Sequence, residues 1–223
     1  MSKTVLVVAA HADDEALGCG GTIAKHAAAG DQVHAVFVAD GVTSRPGGEP
    51  DELKRRKQAT GDACAILGVS TIEFLGLPDN RLDSLALLDI VQMLEEVIGR
   101  IRPDVVYTHH YGDLNVDHRI THQAAMTACR PLPGSTVREI YTFEVISSTE
   151  WNSAGLAPFI PNLYVDIGEH IETKLKALEA YVPEMRAAPH SRSLEHARSL
   201  AKHRGNSVGV DAAEAFMVMR VIE

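Results

Sequence analysis

The sequence is poor in cysteine, lacks a long apolar run and lacks an excess of positive charge, and each shortage removes a class of protein. Three cysteines in 223 residues, Cys19, Cys64 and Cys129, are an odd number with no CxxC spacing. They exclude a disulfide framework and a thiolate zinc knot and suit a reducing compartment, so a cytoplasmic location is expected. No stretch approaches the roughly 20 apolar residues of a membrane span. The apolar run Val5 to Ala10 stops at His11-Ala12-Asp13-Asp14-Glu15, too short and too acidic for a secretory leader. The chain has 21 Lys and Arg against 30 Asp and Glu, a formal net charge of −9, which argues against a general nucleic-acid or anionic-membrane surface. Repeats and low-complexity tracts are also missing.

What is present has ordinary globular proportions, 45% hydrophobic and 23% charged, and a length that suits one domain with an extra subregion. Two hydrophobic periods alternate. Val5 to Ala10 and Val33 to Val38 read as buried strands, and Ala16 to Ala29 between them as a helix stopped by Gly30. Asp51 is a candidate N-cap for a helix ending at Gly68, and Thr71 to Leu75 is a third strand. Leu85, Leu88, Val91, Leu94, Ile98 and Ile101 form a helical stripe closed by Pro103, before a strand from Asp104 to Thr108. This βαβαβαβ pattern predicts an α/β fold: a Rossmann-like, mainly parallel sheet covered by helices on both faces. In the common order 3-2-1-4, the loops beginning at His11 and at His109 meet at the switch point, where such sheets bind ligands. The expected division is a core over 1–131 and a smaller subregion over 132–223 of the same domain. In the latter, Val137 to Val145, Asn162 to Asp166 and Ala213 to Val221 read as strands and Glu169 to Tyr181 as a helix. Residues 183–210 form a basic island.

Two clusters sit at the predicted switch point. His11-Ala12-Asp13-Asp14-Glu15 puts four ionisable side chains directly after a buried strand, a costly arrangement unless a cation compensates it. His11 and Asp14 can point at one divalent ion across a tight turn, with Asp13 beside it; a solvated helix start is the plainer alternative. The second cluster runs from Thr108 through His109, His110, Asp113, Asn115, Asp117 and His118 to His122. His118 and His122 share the i, i+4 spacing of zinc helices, although HExxH itself is absent. Two histidines and one carboxylate with open positions suit catalytic zinc, and equally iron(II).

The first cluster resembles the (P/A)H(P/A)DDE signature of the LmbE-like, or PIG-L, family of metal-dependent N-deacetylases, and Asn115-Val116-Asp117-His118 resembles that family's later HPDH element. Asp40-Gly41, Arg56, Gly76-Leu77-Pro78-Asp79 and Ala213-Glu214-Ala215-Phe216 follow in order. The resemblance implies zinc held by His11, Asp14 and His118, with Asp13 as the general base that takes a proton from the attacking water and returns it to the leaving amine. It implies an N-acetylated amino-sugar substrate, acetate and a free amine as products, and Arg56 as a contact to substrate hydroxyls. It leaves open a homo-oligomer. Where the family has its first HPDH histidine this chain has Asn115, which can hydrogen-bond an oxyanion but cannot exchange a proton at neutral pH. His110, then His109, are the candidate replacements.

Other features have milder readings. His190 and Arg192, in the basic island, are candidates for gripping an anionic handle on the substrate; a solvated basic face is the alternative. Gly18-Cys19-Gly20-Gly21 reads as close helix packing rather than a phosphate loop, because the acidic stretch before it repels phosphate. A hydrolase of another small amide such as a formamide, and a noncatalytic metal-binding module, share the ligand set. A receiver-like magnesium domain would need an aspartate between Thr71 and Pro78, and none is there.

Overall fold

The computed structural model describes residues 2–44 and 50–223. Strand β1 (Thr4–Ala9), helix α1 (Asp14–Ala28), β2 (Gln32–Ala39), α2 (Pro50–Leu67), β3 (Thr71–Leu77), α3 (Leu87–Ile101), β4 (Val105–His109) and α4 (Val116–Ala128) alternate along the first half. Then follow β5 (Glu139–Phe143), β6 (Leu163–Asp166), α5 (Ile171–Ala180), α6 (Leu194–Asn206) and β7 (Ala213–Val221). One sheet holds all seven described strands in the order β3-β2-β1-β4-β5-β7-β6. Strands β1 to β5 are parallel, whereas β7 runs antiparallel to both β5 and β6. The expected order 3-2-1-4 forms one half of this sheet.

Strand β1 lies in the middle because it is apolar on both faces, as a covered parallel strand must be. Val5, Val7 and Ala9 pack into the layer built from α1, α2, α5 and α6. Leu6 and Val8 pack into the opposite layer, with Ile90, Val91 and Leu94 of α3 and Ala124 and Ala125 of α4. Progression from β1 runs outward through β2 and β3 on one side and through β4 and β5 on the other. The chain reversal therefore opens a crevice beyond the carboxyl ends of β1 and β4.

Several boundaries differ from the sequence expectations. Helix α2 begins at Pro50, a residue pre-set for a first helical turn, so Asp51 lies inside it; the preceding cap position lies outside the described residues. Strand β4 extends to His109. Helix α6 fills the basic island, where no helix was expected.

Helix α1 breaks at Cys19, whose backbone sits at φ −143°, ψ 23°. The tight packing expected of the glycines around it is present: a Cβ at Gly18 would strike the Phe143 ring, and one at Gly21 would lie 2.7 Å from Ile167. A helix break leaves backbone groups needing partners. Glu214 on β7 accepts the Gly21 and Thr22 N–H groups at 2.9 and 2.7 Å, and Lys174 on α5 donates to the Leu17 carbonyl at 2.8 Å. Lys174 and Glu214 also bind each other at 2.6 Å, with side chains 6% and 4% exposed. Replacing Glu214 by Ala strands a buried ammonium and two helix N–H groups. Urea unfolding of Glu214→Ala is expected to show a loss of about 3–5 kcal/mol; a loss below about 1 kcal/mol, ordinary for a surface substitution, would contradict this account of the kink.

Candidate metal centre and active site

The turn after β1 is built against the preference of its residues. Asp13 has φ 120°, ψ −26°, a conformation that costs a residue with a side chain about 1–3 kcal/mol and persists only where neighbours hold it. Glu15 Oε2 accepts the Asp13 N–H at 3.0 Å, and the Tyr181 hydroxyl of the α5 end donates to Glu15 Oε1 at 2.6 Å. Arg56 on α2 donates to the Ala12 carbonyl at 2.9 Å. Burial pushes the Glu15 carboxyl up to about 7 against the hydrogen bond from Tyr181.

The strained turn aims Asp14 across the switch point at α4. One Asp14 oxygen, Oδ2, accepts the His11 N–H at 2.8 Å and lies 3.3 Å from both His11 Nδ1 and His118 Nε2. All three side chains are buried, and each offers an atom within 4.8 Å of the others'. Asp14 Oδ1 and His118 Nε2 are buried without a hydrogen-bond partner, a costly state unless something occupies the space between them. Zinc ligands at about 2.0–2.1 Å from a tetrahedral centre stand about 3.3 Å apart, so this donor set fits a divalent ion.

Each histidine is turned by a carboxylate behind it, the arrangement that fixes which nitrogen is free for a metal. His118 Nδ1 lies 3.2 Å from Asp113 Oδ1. The Asp113 carboxylate also accepts the Ser148 hydroxyl, the Thr149 hydroxyl at 2.6 Å and the Asn115 N–H at 2.8 Å. His11 Nε2 lies 3.1 Å from Asp117 Oδ2 and 3.2 Å from Asp79 Oδ1, which leaves Nδ1 facing Asp14. A second acidic group, His11 with Asp79 and Asp117, also has ligand-like spacing. The Asp117 oxygens, however, already accept the Asn80 and Leu82 N–H groups at 2.7 and 3.1 Å, and Ser44 donates to Asp79. Those carboxylates orient His11.

Proton affinities follow these contacts. Burial works against a charged imidazole at His118, yet Asp14 and Asp113 raise its pKa to about 9. His11 is likewise raised, against its burial, by Asp117, Asp14 and Asp79. Burial works against ionised Asp79, but His11 and Ser44 lower it to about 2. Asp13 is raised by burial, opposed mainly by the Arg192 guanidinium.

Asp13 stands beside the triad with its two oxygens in different circumstances. Oδ2 accepts Arg192 Nη1 at 2.6 Å; Oδ1 is buried with no hydrogen bond, 4.0 Å from Arg56 Nη2. Glu184 links the two arginines, at 2.6 Å from Arg56 Nη1 and 3.6 Å from Arg192 Nη1. Arg56 Nε remains a buried donor without a partner.

Other residues singled out from sequence are placed elsewhere. His110 Nε2 donates to the Ala157 carbonyl at 2.9 Å, which ties it to the 152–159 loop. His109 instead stacks on His118 at 4.0 Å between centroids, and its Nε2 accepts the Ala10 N–H at 2.8 Å and lies 3.4 Å from Asp14 Oδ2. The preference for His110 over His109 is therefore reversed by contact with the centre: adjacent residues at a strand end point to opposite sides. His122 Nδ1 donates to the His109 carbonyl at 2.8 Å and is no part of the ligand group. Asn115 caps α4 by accepting the Asp117 N–H at 2.8 Å. His190 is exposed at the rim. Sequence reasoning missed the orienting roles of Asp79, Asp113 and Asp117, although all three lie inside the motifs quoted above.

A strained turn at the switch point of a parallel sheet, holding a buried two-histidine, one-carboxylate group with a half-satisfied carboxylate beside it, defines a metal-hydrolase type of centre. The chain belongs to the PIG-L family, whose model, described as GlcNAc-PI de-N-acetylase, matches residues 6–129. A protein of Escherichia coli K12 described as the uncharacterized deacetylase YaiS is 33% identical over 185 residues, which cover 80% of this chain and 90% of that one. A 1D-myo-inositol 2-acetamido-2-deoxy-alpha-D-glucopyranoside deacetylase of Saccharopolyspora erythraea is 29% identical over 236 residues, covering 79% and 76%. The crystal structure of GalB, the 4-carboxy-2-hydroxymuconate hydratase of Pseudomonas putida KT2440, superposes with a TM-score of 0.78 at 25% identity, covering 99% and 98%.

The carboxylates behind the histidines yield a test. Asp113→Ala is expected to weaken zinc binding about 10- to 100-fold, measured by competition with a chromogenic chelator. His122→Ala should leave zinc affinity as it is. Equal losses in both variants would contradict the assigned geometry.

Proposed function

We propose that this protein is a zinc-dependent N-deacetylase of an acetamido sugar, releasing acetate and a free amine. The observation that carries the reading is the pairing of a buried, partly unpaired His11, Asp14 and His118 group with the free Oδ1 of Asp13. The family and the two deacetylase relatives supply the reaction class, and the acetamido-glucopyranoside relative supplies the sugar. GalB shares the fold and is a hydratase, so amine release is the discriminating observation. Three buried free thiols agree with a cytoplasmic setting, and among the described residues no helix is long and apolar enough to cross a membrane.

In this reading His11, Asp14 and His118 hold the ion. When bound, zinc polarises the amide carbonyl and acidifies water. Asp13 Oδ1 accepts a proton from the attacking water and returns it to the departing nitrogen. Both transfers fall to Asp13 because Asn115 carries no exchangeable proton at neutral pH, while its amide oxygen is occupied in capping α4. Asn115 Nδ2 is 3.5 Å from Asn80 Oδ1, a long contact that leaves the amide able to donate to a developing oxyanion. His109, whose proton affinity burial and the neighbouring His118 depress, stacks beneath the ligand imidazole and stiffens it. Arg56 is the residue proposed to contact a sugar hydroxyl, its guanidinium being held beside Asp13 by Glu184 and the Ala12 carbonyl. Arg192, expected to grip an anionic handle, is directed at Asp13 and Glu184; its role here is to hold Asp13 Oδ2 so that Oδ1 meets the water.

Two experiments test these roles. Asp13→Asn should keep one equivalent of zinc and lose at least about 100-fold in amine release from the zinc-loaded enzyme, whereas Asp14→Ala should lose metal and activity together. Equal metal loss in both would refute the division of labour. Arg192→Ala should lower kcat about 10- to 100-fold at unchanged KM and zinc content. A KM increase confined to anionic substrates, with kcat kept, would return Arg192 to the substrate-gripping role.

A further inference from the structure

The rim of the site carries an aromatic pair that the chemistry above does not use. Trp151 is the one tryptophan of the chain and keeps 51% of its surface exposed. Its ring meets His190 edge-on, 6.1 Å between centroids and 73° between planes. Two turns hold the pair in place. The first carries Ser148 and Thr149, whose hydroxyls bind Asp113 behind His118, so Trp151 stands two residues from a group that braces a proposed metal ligand. The second carries Arg192, which holds Asp13. His190 Nδ1 accepts the Arg192 N–H at 2.9 Å, and two residues of backbone put His190 within about 7 Å of Arg192.

The turns are clasped to each other. Ser147 N–H donates to Ser191 Oγ at 3.1 Å and Arg192 Nε to Ser147 Oγ at 2.6 Å. Glu150 accepts from the Ser147 and Ser148 N–H groups and from the Ser191 hydroxyl. The inner ends of the two turns thus address the reaction centre, while their outer ends present rings to solvent. An indole is among the largest apolar surfaces a chain can bury, and the clasp fixes this one on the turn that braces Asp113, against the turn that carries Arg192. Charge recognition at this rim has little to work with among the described residues, because Arg192 and Arg56 are both engaged by Asp13, Glu184 and Ala12. A neutral ring with an apolar face and a hydroxyl-bearing edge matches a wall of indole bordered by Glu150 and two serines.

We propose that Trp151 and His190 form a second sugar subsite, in which the pyranose attached to the residue being deacetylated stacks on the indole. The proposal rests on the acetamido-sugar reading and narrows it to substrates longer than one sugar. Because the chain has a single tryptophan, emission excited at the red edge of its absorption reports this subsite alone. The zinc-loaded protein is titrated with glucosamine and with chitobiose, neither of which carries an amide. Chitobiose is expected to shift the emission saturably and glucosamine to leave it unchanged. In kinetics, Trp151→Ala is expected to raise KM for N,N′-diacetylchitobiose about fivefold and to leave KM for N-acetylglucosamine as it is. An emission unchanged by chitobiose overturns the proposal, as does an equal response to both sugars. A response to phenyl β-glucosaminide without one to chitobiose overturns it too, by assigning the wall to an aromatic group. A saturable chitobiose shift without amine release from any acetamido sugar keeps the subsite and removes the hydrolase. Amine release without the shift does the reverse.

Discussion

The structure depends on burying carboxylates at the end of its central strand. Asp13, Asp14 and Glu15 are each at most 1% exposed, at a point where three ionised groups in a row would repel one another and forfeit their hydration. The surrounding groups answer that cost one by one: Arg192 on Asp13, the histidines around Asp14, Tyr181 on Glu15. These partners come from the end of α5, from the segment before α6, from β4 and from α4. The late part of the chain is thereby tied to the first turn of the early part. The same demand explains why Asp13 is held in a strained conformation: relaxing it would withdraw its carboxylate from Arg192.

The residual imbalance is the chemical content of the site. Polar groups behind the two histidines are well satisfied, by Asp113 on one side and by Asp117 and Asp79 on the other. Groups facing inward, Asp14 Oδ1, His118 Nε2 and Asp13 Oδ1, are not. These inward-facing atoms are the ones that the proposed ion and reacting water would satisfy. The break in α1 serves this arrangement as well. Lys174 and Glu214 take up the freed backbone groups four to nine residues beyond Asp13, so the short first segment of the helix can be aimed independently of the rest.

Much of this was legible in the sequence, for reasons that can be named. Short, valine-rich apolar runs between helical stripes have one economical solution, a covered parallel sheet, and ionisable residues placed directly after two such runs meet at its switch point. Less legible were features that depend on register or on small residues. His109 and His110 are neighbours, and only the phase of β4 decides which ring enters the centre. Helix α6 escaped because its buried face is Ala197, Ala201 and Gly205, too small to give an apolar stripe among its charges. The pairing of Arg192 with Asp13 spans 179 residues and has no local signal, and the orienting roles of Asp79, Asp113 and Asp117 belong to tertiary structure in the same way.

In the proposed centre one ion is shared by His11, Asp14 and His118, while Asp117 and Asp79 turn His11. The most direct measurement is anomalous diffraction at the zinc absorption edge from crystals of zinc-loaded protein. One strong peak is expected in contact with His11 Nδ1, Asp14 and His118 Nε2. A peak between His11 Nε2, Asp79 and Asp117, or no peak at either place, would contradict it.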